Sequence, residues 1–187
     1  MLNSRLSHKI VTRIKHKQGS VYIPCDDPTI IDSSTLNELR GHAMTAPQGN
    51  ARILLHRDAA TRLHEMLIVH KKGCYVRPHI NKGSPKSYIM LEGEMVVAWF
   101  KEDGVLTQIC HLSGAGFEVN RILRFEDEVF HTLLPLTSTV TFVETILGPH
   151  TNTIYAPWAP SLDEPGFQSF NIEMNRRILE NLKVNDL

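Results

Sequence analysis

From Arg52 to Leu147 the chain is a succession of short β-forming runs, and nothing else in it restricts the fold as strongly. ARILLH, TRLHEMLIVH, CYVRPH, YIMLEG, EMVVAWF, GVLTQICHL, RILRF, EVFHTLLPL and STVTFVETIL follow one another, broken by Gly, Asp, Asn and Lys-Lys-Gly turns. Six to nine short strands at this spacing indicate an antiparallel sandwich or barrel. The expected class is therefore all-β.

Both flanks read differently. Residues 29–46 have a helical pattern, with Ser33 or Ser34 as cap, Leu36, Leu39 and Met44 as the apolar stripe, and Pro47 as the stop. Residues 1–24 alternate basic and apolar positions, which suits a solvated extension or an added edge strand in preference to an anion-binding arm. GPHTNTIYAPWAPSLDEPG, with its four prolines, reads as a loop that packs Tyr155 and Trp158 on the barrel. A second helix is expected from about Phe170, with Phe170, Ile172, Met174, Ile178, Leu179 and Leu182 available for docking. The resulting division is an N-terminal arm with one helix over residues 1–50, a barrel over 51–160, and a C-terminal loop and helix over 161–187.

Twenty basic and twenty acidic residues cancel, so bulk charge gives no reason to expect nucleic acid as a partner. Cys25, Cys74 and Cys110 are odd in number and far apart, which fits reduced thiols. No run approaches the ~20 apolar residues of a membrane helix, and the N-terminus lacks a signal-peptide core. The expectation is a cytoplasmic protein without membrane insertion. A phosphate-binding Gly-rich loop and a Ser nucleophile elbow are both missing from the sequence. Cys74 lies among apolar neighbours and is read as an inert thiol.

The chemistry-bearing stretch is GCYVRPHINKGSPKSYIMLEG, residues 73–93. It reads as strand, polar loop, strand. Alternation places His79 and Asn81 on one face, and Lys86, Tyr88 and Met90 together on one face of the next strand. Gly73, His79 and Gly93 sit where the first cupin motif, G-x5-H-x-H-x3,4-E-x6-G, requires them. Asn81 replaces its second His and Lys86 its Glu. FEDEVFHTLLPL resembles the second motif and retains His131. YVRPH, LEGEMVVAWF, FHTL and APWAP further resemble the WbuC family of cupin-fold proteins, small proteins encoded among bacterial surface-polysaccharide genes. The likeness covers roughly residues 50–160. It implies a double-stranded β-helix (jelly-roll barrel), a homodimer, and a sugar or sugar nucleotide as the small-molecule ligand.

The substitutions determine what chemistry to expect. Zinc or iron takes three or four His, Cys or carboxylate ligands, and the resemblance supplies two, His79 and His131. At ~4 Å and an effective dielectric of about 20, an ammonium facing a dication costs on the order of 8 kcal/mol. No metal cofactor is therefore expected. The alternative is a metal-dependent enzyme holding Zn, Fe, Mn or Ni through His79 and His131, with Glu118 or Glu144 as a restored carboxylate.

In the metal-free reading Lys86 replaces the metal electrostatically, keeping His79 and His131 neutral as acid/base groups and steadying an enolate or a phosphate oxygen. His79, His131 and Lys86 are the catalytic candidates. Asn81, Tyr88, Arg77, Glu144 and His56 are the ligand contacts. A non-catalytic ligand-binding barrel remains open beside these. His64, His70, His111 and His150 show no spacing that makes a ligand set and are read as structural or exposed.

Overall fold

In a computed structural model of the chain, residues 12–114, 119–126, 128–149 and 153–185 are described. The first elements are a hairpin of β1 (Ile14–Gln18) and β2 (Val21–Pro24), followed by α1 (Ser33–Thr45). The sheet strands are β3 (Asn50–Leu54), β4 (Leu63–Lys71), β5 (His79–Ile80), β6 (Lys86–Glu92), β7 (Glu94–Phe100), β8 (Leu106–Ser113), β9 (Ile122–Phe125), β10 (Phe130–Pro135), β11 (Thr139–Leu147) and β12 (Ile154–Tyr155). The chain closes with α2 (Phe167–Asn185).

Two sheets face each other. One runs β1-β2-β3-β4-β11-β6-β9 and the other β12-β5-β10-β7-β8. Every pairing is antiparallel except β2 on β3. The chain crosses between the sheets repeatedly, so that the late strand β11 lies between β4 and β6, and β10 between β5 and β7. This is the double-stranded β-helix of the cupin fold, as the sequence led us to expect. β1 and β2 extend the larger sheet past β3, which agrees with the edge-strand reading of the arm; residues 1–11 lie outside the described residues.

Burial explains the near-continuous apolar runs. In β4, Leu67 and Val69 point outward under Leu39 and Ala43 of α1, while Ile68 points inward among Tyr88, Met90, Leu133 and Phe142. A strand covered on both faces has no solvent side to carry polar residues. The outer face of the smaller sheet is likewise covered: Val96, Ala98, Phe130 and Leu134 pack under Trp158, Met174 and Ile178. Between β6 and β7 the chain turns at Gly93 with φ 75°, and a Cβ there would lie 2.4 Å from the Thr139 carbonyl oxygen. Only glycine closes this turn without strain.

Local readings shift at the edges. The cap of α1 is Asp32, whose Oδ1 accepts from the Thr35 N–H at 2.9 Å, rather than Ser33 or Ser34. Ala43 takes the place expected for Met44, which is half exposed. Helix α2 begins three residues ahead of Phe170 and leaves Ile172 and Leu179 outside its buried face. Tyr75 and Val76 belong to no strand. Pro78 has no N–H for a ladder, and the segment bonds elsewhere: the Tyr75 hydroxyl donates to Pro160 O at 2.8 Å, and the Thr132 hydroxyl to Val76 O at 2.5 Å.

Candidate active-site cavity

Period-2 alternation turns one row of side chains on each of β3, β4, β11 and β6 into the barrel, and these rows wall a cavity of about 530 Å³. The strand registers order the rows. Leu54, Met66, Glu144 and Tyr88 stand side by side across β3, β4, β11 and β6. One step along the strands come Arg52, Ile68, Phe142 and Met90; one step the other way come His64, Ile146 and Lys86. The opposite wall is built from Tyr75, Val76, Arg77, His79 and Asn81 with the loop around Tyr155 and Leu162.

At the junction of the two walls lies a buried polar cluster. The Lys86 side chain is fully buried, with Nζ 3.4 Å from His131 Nε2 and 3.5 Å from Glu144 Oε1. An ammonium only donates, so His131 Nε2 is the acceptor and the ring proton sits on Nδ1. The Tyr88 hydroxyl lies 3.4 Å from the same nitrogen. His79 stands directly across the ladder from His131, with ring centroids 4.5 Å apart. Its Nδ1 lies 2.9 Å from the Arg77 carbonyl oxygen, which makes Nδ1 the donor and Nε2 the basic nitrogen.

The sequence-derived residues therefore converge, but in two layers. His79, Asn81, Tyr88, Arg77, Glu144 and His56 line the cavity. His131 and Lys86 are buried and do not line it; they lie behind Tyr88, His79 and Glu144. Asn81 accepts from the Thr153 hydroxyl at 2.9 Å. The Arg77 Nε donates to Ala159 O at 2.8 Å, and its guanidinium lies over the Tyr155 ring at 4.9 Å. His56 stacks on His64 with ring centroids 4.2 Å apart, at the rim. Cys74 is buried, and burial pushes its thiol above the ordinary range, as expected of an inert group. Glu118 and His150 lie outside the described residues.

These donors do not suit the divalent metal that cupin barrels are expected to hold. His131 Nε2, the lone pair such a metal would take, faces the Lys86 ammonium. Among the described residues no three His, Cys, Asp or Glu side chains come together as a metal-binding set.

Arg52, His64 and His70 are among the cavity residues that sequence reasoning missed. The signal was present. His64 and His70 lie six residues apart on one strand, an even spacing that puts both on the face of Ile68. His111, by contrast, pairs with Glu94 at 2.8 Å on β8, away from the cavity. His70 is only 4% exposed, and burial, with a smaller contribution from Arg52, takes its pKa down to about 3.

A histidine kept neutral when folded and free to protonate when unfolded makes stability fall with pH. The loss begins near the ordinary value of about 6.5 and proceeds at up to about 1.4 kcal/mol per unit as pH falls toward the folded value. Urea unfolding at pH 7, 6 and 5 is expected to show this slope, and His70→Phe to flatten it. An unchanged slope in the variant would assign the pH dependence to other groups.

A family described as "Domain of unknown function (DUF6016)" matches residues 31–112, less than half of the chain. No curated protein matches. Among solved structures, oxalate oxidase in complex with glycolate is 10% identical, covering 72% of this chain and 75% of that one with a TM-score of 0.49. A cupin superfamily protein from Desulfitobacterium hafniense is 15% identical over 52% of this chain and 76% of that one, TM-score 0.42. A double-stranded β-helix protein from Klebsiella pneumoniae is 13% identical over 57% and 84%, TM-score 0.44. On its own strand order and register, the chain is a cupin-fold protein whose barrel encloses a polar cavity backed by a buried lysine.

Proposed function

We propose that the barrel binds a small polar ligand, a sugar or sugar nucleotide of the kind the WbuC resemblance implies, and moves a proton on it without a metal. The observation that carries this reading is the Lys86 ammonium fixed 3.5 Å from Glu144 Oε1 and 3.4 Å from His131 Nε2, with no solvent exposure. Glu144, with the Lys86 ammonium behind it, is the base on one wall of the cavity, and His79 faces it from the other.

The step is an isomerisation next to a carbonyl. Glu144 takes the proton from the hydroxyl-bearing carbon, and the electron pair left behind forms the C=C bond of an enediol while the carbonyl π pair moves onto oxygen. His79 relays the hydroxyl proton to that oxygen. Glu144 then returns its proton to the former carbonyl carbon, where the C=C π pair forms the new C–H bond as the deprotonated hydroxyl oxygen closes the new C=O. Lys86 and His131 take no part in the transfer; they hold Glu144, Tyr88 and His79 in place. The same reading pairs two chains as a homodimer, with Ile172 and Leu179, exposed on α2, as apolar surface for the partner.

Incubating candidate reducing sugars and keto-sugar nucleotides with the protein in deuterated water, followed by proton NMR, tests this. Solvent deuterium should enter at the carbon next to the carbonyl. Glu144→Gln should slow the exchange at least ~100-fold, the scale of a positioned acid or base. Exchange that survives Glu144→Gln and His79→Ala together would locate the chemistry elsewhere. A ligand that binds without exchanging would make the barrel a passive binder.

A further inference from the structure

An arginine stays charged at any accessible pH and presents five donors in a planar fork. Held against a cavity wall it calls for an anion. Arg52, in the middle of β3, is partly buried and faces the cavity. Its guanidinium makes no hydrogen bond or ion pair among the described residues.

The neighbouring row supplies an independent observation. His70 stands opposite Asn50, two residues from Arg52 on the same face of β3, and lines the same cavity. It is 4% exposed, and its Nδ1 meets no partner among the described residues. A buried imidazole nitrogen with nothing to bond is costly unless a ligand or water completes it. Being neutral, it adds a hydrogen-bonding atom beside Arg52 without adding a competing charge. Arg77 brings a second guanidinium from the opposite wall. Of the cavity-lining carboxylates, Glu144 is held by Lys86, and Asp163 lies beyond ion-pair distance of either arginine.

We propose that Arg52 and His70 form a seat for an oxyanion, the phosphate or carboxylate of the ligand, at the end of the cavity away from Glu144. Arg52 lies one row along and two strands across from Glu144. At ~6.8 Å per two residues and ~4.8 Å per strand, their Cα atoms are about 12 Å apart. Both side chains reach inward, so the anion sits a few bonds from the carbon that Glu144 addresses. The seat selects ligands carrying an acidic group over neutral sugars. It rests on the reading of this cavity as a small-ligand site, yet fails separately from the proton transfer.

Inorganic phosphate is the probe, titrated into the full chain and followed by phosphorus NMR and calorimetry. Saturable binding is expected. Arg52→Gln should weaken it at least ~10-fold, about 1.4 kcal/mol, and Arg52→Lys, which retains charge but not the fork, should fall between. Arg124→Gln, on the exposed face of β9, should leave it unchanged. Acetate competing as well as phosphate identifies a carboxylate seat; phosphate winning identifies a phosphate seat.

The seat is overturned if phosphate does not saturate the wild type. It is equally overturned if Arg52→Gln and Arg52→Lys, with thermal melts matching wild type, bind phosphate as tightly. Proton exchange lost in Glu144→Gln alongside unaltered phosphate binding in Arg52→Gln would sink the seat and leave the reaction standing. Phosphate binding lost in Arg52→Gln, with no proton exchange in wild type, would do the reverse.

Discussion

Lys86→Met unfolds the barrel more easily by about 3–5 kcal/mol, the cost of breaking a buried ion pair from one side. The side chain is fully buried and that of Glu144 is 13% exposed. Removing the ammonium leaves a largely buried carboxylate without its cation, between Met66 and Tyr88 across the ladder. For a chain of this length the melting temperature should fall by roughly 10 °C or more. Lys86→Met with Glu144→Leu should recover most of the loss, because the Glu144 carboxylate is removed together with its cation. Urea unfolding of the three proteins checks this. A single variant that costs under ~1 kcal/mol would mean that the ammonium contributes little to holding the site.

Lys86→Glu should give this chain a zinc site. It exchanges a donor for an acceptor 3.4 Å from His131 Nε2, with His79 across the ladder and Glu144 alongside. Two imidazoles and two carboxylates satisfy the ligand preferences of zinc. Without metal the two carboxylates repel each other and the variant is destabilised. Zinc in excess should therefore raise its melting temperature, with about 2.7 kcal/mol gained at a hundredfold excess over Kd. Calorimetric titration is expected to show zinc bound at least ~100-fold more tightly than by wild type. Equal affinity in the two proteins would mean that position 86 is not the seat of the missing ligand.

The β-rich character and the strand-to-helix order were legible because they rest on periodicity and turn chemistry, which are local; the cupin barrel was implied by the resemblance of the motifs around His79 and His131. So was the inward face of β6: Lys86, Tyr88 and Met90 share parity, and all three are buried. The segment before His79 was misread because Tyr75 and Val76 have strand-forming side chains, whereas their hydrogen bonds go to Pro160 and Thr132, far along the chain. Depth was not legible either. Parity says that Lys86 and His131 point inward; it does not say that Tyr88, His79 and Glu144 lie between them and the cavity.

Arg52 and His70 were passed over for a related reason. Each carries a parity signal within its own strand, but only the pairing of β3 with β4 brings the two rows together. The cupin motif drew attention to Gly73–Gly93 and His131, while about half the cavity wall comes from strands outside it.

Nitrogen NMR of histidine-labelled protein, with His131→Ala to assign the signal, tests most directly whether an ammonium occupies the metal's place. The expected result is a neutral His131 ring with its proton on Nδ1 and Nε2 accepting from Lys86, unchanged by added zinc. A proton on Nε2, or a zinc-dependent shift of that nitrogen in wild type, would contradict it.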